Sequence, residues 1–165
     1  LDYKPNASFF FSRYLRVWGW AGWRRSIEGY DSDINLLIEK QNTWKKDMFS
    51  STDILLKRYW QDMFEEVRSG KINTWDAQLQ YLLWQKKQQV IVSSKNLIQN
   101  IGWAQGAHVL NKDHNHELAT SEINFPLTVP EMIQRDTRAD QVIEKISYRI
   151  TIFSFLKKLL RKMIR

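Results

Sequence analysis

Residues 52–92 read TDILLKRYWQDMFEEVRSGKINTWDAQLQYLLWQKKQQVIV, and this stretch decides the fold class. Thr52 and Asp53 can open a helix. Leu56, Tyr59, Trp60, Met63, Phe64 and Val67 then recur at three and four, which gathers them on one helical face. Gly70 stands where a helix end wants a left-handed residue. Thr74 predicts the N-cap of the next helix, with Asp76 in its first turn and Leu79, Leu82 and Leu83 turned inward. Gln89–Val92 is short and β-branched, which predicts a strand. Helix, helix, strand in this order suggests an α/β layer.

Outward from this stretch the pattern continues. Residues 7–18, ASFFFSRYLRVW, predict one or two short buried strands. Gly19 and Gly22 punctuate a Trp-rich turn, and Asp33 can cap a helix over 35–39. Residues 102–121 are polar and read as a loop, and Phe125 to Pro130 reads as extended chain. A final helix is expected over 140–164. The strands are too few to close a sheet covered on both faces, so the chain reads as part of an α/β domain.

Composition bounds the function. The 165 residues are 43% hydrophobic and 13% aromatic, too rich for a disordered chain. No apolar run reaches the roughly 18 residues of a membrane span. The absence of Cys excludes disulfides, Cys-ligated zinc, iron–sulfur clusters and thiol nucleophiles, and leans toward a reducing compartment. No charged-then-apolar leader is visible. The net charge of +7 is concentrated in residues 141–165, which hold seven cations against Glu144 alone. Residues 1–140 are nearly neutral, which argues against a nucleic-acid partner.

Several constellations carry chemistry. Trp18, Trp20 and Trp23 surround Gly19, with Arg24 and Arg25 behind. Flat apolar rings suit the apolar faces of sugars, and they equally suit a core cluster. Asp76 can serve as a general base or simply as a helix-start acid. His108, after the turn at Gly102, can ligate a metal or satisfy a loop. The run Asp113 to Glu117, with His114 and His116, reads as solvated more readily than as a metal site, and Asp31-Ser-Asp33 reads as a capping pair. In the tail, Leu156, Leu159, Leu160, Met163 and Ile164 follow helical spacing, while Lys157, Lys158, Arg161, Lys162 and Arg165 fill the other side. That pattern fits a helix lying on an anionic membrane surface, and a Leu stripe packed on a protein is the alternative.

Taken together, Phe10-Phe-Ser-Arg-Tyr, Trp18-Gly-Trp-Ala-x-Trp-Arg-Arg, Tyr30-Asp31, Arg58-Tyr-Trp60, Gly70-Lys-Ile-Asn-Thr-Trp-Asp76, Asn96-Leu, Asn100-Ile-Gly-Trp103 and Phe125-Pro-Leu resemble the second half of bacterial GT-A-type glycosyltransferases over residues 8–140. The resemblance implies residues 1–140 as the C-terminal, acceptor-side half of a GT-A fold and residues 141–165 as a basic amphipathic helix. It implies transfer of a sugar from a nucleotide-diphosphate donor to a glycan or lipid-linked acceptor, in cell-surface polysaccharide synthesis at the cytoplasmic face of the inner membrane. Asp76 then falls where the acceptor's base is carried, and Trp18, Gly19, Trp20 and Trp75 would border the substrate. His108 would join a divalent metal, Mg or Mn, shared with an N-terminal half that holds the nucleotide. A non-catalytic module that binds glycan or the membrane surface is the competing expectation.

Overall fold

A computed structural model describes residues 3–34, 54–99 and 119–148. They form a mixed α/β arrangement of four helices and a two-stranded antiparallel sheet. Strand β1 is Phe9–Ser12, followed by the short helix α1, Arg24–Ile27. Helices α2, Ile54–Arg68, and α3, Asp76–Gln85, come next, then strand β2, Val90–Ser93, and helix α4, Thr137–Ser147. The expected helix over 35–39, the cap at Thr52, the loop centred on His108 and the tail beyond Tyr148 lie outside the described residues.

The sheet pairs Phe9 with Ser93, Phe10 with Val92, Phe11 with Ile91 and Ser12 with Val90. The second edge of β1 is taken up by other chain: Asp136 donates its N–H to the Phe11 carbonyl at 2.8 Å, and Ser8 donates to the Thr128 carbonyl at 2.8 Å. Where one or two strands were expected over 7–18, the ladder stops at Ser12. Residues 13–15 are held instead by side chains of α3. Gln80 Oε1 accepts the Leu15 N–H at 2.7 Å, while Gln80 Nε2 and Trp84 Nε1 both donate to the Arg13 carbonyl, at 2.9 and 2.7 Å. A carboxamide carries a donor group and an acceptor group side by side, so it substitutes for a strand neighbour.

Helix α3 is the most buried element among the described residues. Every residue from Ala77 to Trp84 is buried. Its faces divide the work. Ala77, Tyr81 and Trp84 join Tyr14, Ile34, Trp60 and Phe64 in an aromatic core, against which the predicted stripe of α2 packs. Leu79, Leu82 and Leu83 form a second cluster with Leu15 and Val90. Trp60 and Trp84 meet edge to face at 4.7 Å, and Phe64 and Tyr81 do so at 5.0 Å, a geometry that the ring quadrupoles favour.

Two expectations are corrected. Thr74 does not cap α3: the N-cap position is Trp75, and no side chain accepts from the first turn. The Thr74 hydroxyl donates to the Asp76 carboxylate instead, so it is spent on a side chain. The last helix starts before 140. Asp136 caps α4 by accepting the Ala139 N–H at 2.9 Å. The division drawn at residue 140 therefore falls inside α4. Its Glu144 belongs to the body, receiving Arg13 Nη2 at 2.5 Å and the Tyr14 hydroxyl at 2.8 Å.

Candidate functional site

The site begins with a glycine. Gly19 adopts φ +60, in the left-handed region, and a Cβ there would press on the flexible end of Ile98. The backbone conformation is what favours glycine here, and the turn carries Trp18 and Trp20 on either side of it. Trp18 is 49% exposed and Trp20 38%. These rings are thus surface groups, which removes the core reading of the cluster for both.

Trp20 then meets Trp75. The two rings stack with centroids 5.4 Å apart and planes at 29°. Trp75 is itself 45% exposed and is the residue immediately before α3. Two motifs 55 positions apart in sequence therefore build one aromatic platform, and Asp76 stands beside it. Tyr30 fastens the arrangement from the other side, its hydroxyl donating to the Trp75 carbonyl at 3.2 Å.

Asp76 is half-buried at the first position of α3. One oxygen receives the Thr74 hydroxyl, which fixes the carboxylate's rotamer. Its charge is felt by three phenols. Burial first, then the charges of Asp76 and Asp31, raise the Tyr30 phenol above its usual value. Burial first, then Glu66 and Asp76, raise Tyr59. Tyr148 is raised chiefly by burial, with Asp76 and Asp140 adding to it.

The remaining expected site residues divide cleanly. Trp20, Trp75 and Asp76 are brought to one surface with Gly19 next to Trp20, and Trp18 is exposed on the same turn. Trp23 is exposed elsewhere on the turn, under the Arg25 guanidinium at 5.1 Å from its ring. His108 and the cations Lys157, Lys158, Arg161, Lys162 and Arg165 lie outside the described residues. No three acidic or histidine side chains stand together among the described residues, so these alone do not compose a metal shell. No helix among the described residues is long and apolar enough to cross a membrane.

Sequence reading did not single out Tyr30 or Gln78 as site residues. Gln78 is buried, and its Nε2 donates to the carbonyls of Ser32 at 3.1 Å and Thr74 at 2.6 Å, tying the 30–33 turn to the start of α3. The available signal was a glutamine among apolar residues of a helix buried all round, because a buried amide demands partners.

No protein-family model, no curated protein and no solved structure matches this chain.

Proposed function

We propose that the chain is the acceptor-side part of an inverting glycosyltransferase, with Asp76 as the general base. The observation that carries this reading is the exposed Trp20–Trp75 stack beside the half-buried Asp76 carboxylate. The stack offers an apolar surface to a pyranose face, and the adjacent residue offers a proton acceptor.

The chemistry follows from the residue types. The acceptor sugar lies on the Trp platform with one hydroxyl toward Asp76. Asp76 takes that proton as the oxygen forms its bond to the anomeric carbon of the donor. The bond from that carbon to the diphosphate breaks, and the diphosphate leaves with the electron pair. Thr74 holds Asp76 in one orientation, and Tyr30 holds the backbone of Trp75, so the base and the platform keep their spacing. In this reading the nucleotide-diphosphate donor is held by a separate N-terminal half. A divalent cation, Mg or Mn, would neutralise the departing diphosphate, with His108 as this chain's ligand. The metal part rests on the resemblance, since the described residues make no metal cluster. Phe125, Val129 and Ile133 are each exposed, at 78, 66 and 82%, and in this reading further protein would cover them. The basic tail is proposed to hold the enzyme to the anionic inner leaflet at the cytoplasmic side.

The test is Asp76→Asn in the full-length enzyme. Sugar transfer should fall by roughly 10²–10⁴ with donor affinity unchanged. Transfer near the normal rate would remove Asp76 as the base.

A glycan-binding module without catalysis is the second reading, favoured by the exposure of the platform itself, which needs no base to hold a sugar. It is separated from the first by the same variant. A module would lose nothing in transfer, because it would have none, and would hold its glycan with or without Asp76.

A further inference from the structure

Two buried acceptor oxygens near the start of α3 have no donor among the described residues. Gln78 is only 4% exposed, and its Oε1 carries no hydrogen bond among the described residues. Asp31 is half-buried, but its Oδ2 is shielded from solvent and has no partner among the described residues. The other atoms of both groups are fully used. Asp31 Oδ1 accepts the Asp33 N–H at 3.0 Å, and Gln78 Nε2 holds Ser32 and Thr74. The Gln78 nitrogen grips Ser32, so the amide that carries the orphaned oxygen is fastened to the Asp31–Asp33 turn. Native structures rarely leave buried acceptors empty, and each such group calls for an explanation.

From this we infer that the Tyr30–Asp33 turn is a hydroxyl clamp: a polyol on the Trp20–Trp75 platform donates hydroxyl protons to Asp31 Oδ2 and Gln78 Oε1. This rests on the proposed sugar site and extends it with the groups that read the sugar's hydroxyls. Both orphaned atoms accept and neither donates, so a ligand must bring donors. Among the described residues no three acidic or histidine side chains gather to hold a cation there. A sugar ring supplies donors on the same body that the indoles stack against. Neither oxygen touches solvent in the closed turn, so the turn must part from α3 to admit the hydroxyls. Two side-chain bonds to backbone bridge that seam, Gln78 to the Ser32 carbonyl and Tyr30 to the Trp75 carbonyl. Burial of unsatisfied acceptors disfavours the closed state, and donors from a ligand reverse that cost in the bound state.

The experiment uses the 165-residue chain and follows tryptophan fluorescence during titration with methyl glycosides of glucose, galactose and mannose. Their per-O-methylated forms keep the ring faces and lose every donor. Asp31→Asn keeps the acceptor at Oδ1 and replaces the orphaned oxygen with a donor. The clamp predicts that Asp31→Asn unfolds at higher urea than the parent, yet binds its best glycoside at least tenfold more weakly. It also predicts that the per-O-methylated form fails to bind the parent. Equal affinity of Asp31→Asn and parent, with binding lost in Trp20→Ala, overturns the clamp and leaves the platform standing. Binding lost in Asp31→Asn but kept in Trp20→Ala overturns the platform and leaves the clamp. No binding of any of the three glycosides by the parent overturns both.

Discussion

Two buried indoles show how much a single hydrogen bond decides in this core. Trp60 and Trp84 touch each other edge to face, and both meet Tyr14 and Phe64. Trp84 Nε1 donates to the Arg13 carbonyl at 2.7 Å, whereas Trp60 Nε1 is buried with no partner among the described residues. Truncating either ring to phenyl leaves a similar gap. Trp84→Phe also discards a made bond, while Trp60→Phe removes a donor that was costing stability. A made bond contributes about 1 kcal/mol and an unsatisfied buried group costs about 1–3. Trp84→Phe should therefore destabilise more than Trp60→Phe by at least about 1 kcal/mol, read from urea unfolding midpoints at unchanged slope. Equal losses would show that ring volume alone sets the cost. Arg13 belongs to the same balance: its guanidinium is buried against Glu144, while Asp140 accepts from Ser12 at 2.6 Å and faces Arg135 at 3.3 Å, so neither acid is buried without a partner.

At the scale of elements, periodicity was readable wherever one face alone decides. The stripe of α2 from Leu56 to Val67 faces the aromatic core, the leucines of α3 form their own cluster, and β2 falls within one residue of its expected place. What sequence hid were contacts made by polar side chains over long separations. Gln80 ends β1 early by offering its amide to residues 13 and 15, and nothing in the local pattern of 7–18 reveals that. Thr74 carried a cap's residue type, but its hydroxyl went to Asp76. Asp136 did announce its cap, as an Asp followed by a helical run, and the expected start at 140 passed over it. The platform was half legible. Trp18, Trp20, Trp75 and Asp76 could each be picked out by type, and their exposure with the stacking of Trp20 on Trp75 emerged only from the tertiary fold.

Across the whole molecule, aromatic burial sets the response to alkali. All six tyrosines have their phenols raised, and burial is the largest cause in each. Tyr3 reaches about 12, helped by its hydrogen bond to Asp136. Below pH about 10 both folded and unfolded chains keep these protons, and the phenols add no pH dependence. Above it the unfolded chain releases them and the folded chain holds them, so stability falls as pH rises toward the folded values. Absorbance of ionised tyrosine should rise in one cooperative step that coincides with loss of helical circular dichroism. Separate ionisation of most tyrosines near 10 with the helices intact would refute this. The largest claim concerns the surface where the Trp-rich turn meets the start of α3, proposed as the place where an acceptor sugar lies. The chain has eight tryptophans, hence eight indole N–H signals in a ¹H–¹⁵N spectrum. Titration with methyl glycosides should move the signals of Trp20 and Trp75, assigned by their alanine variants, and leave those of buried Trp60 and Trp84 in place. If the Trp20 and Trp75 signals stay still at saturating glycoside while others move, or if none moves, the sugar is not bound there.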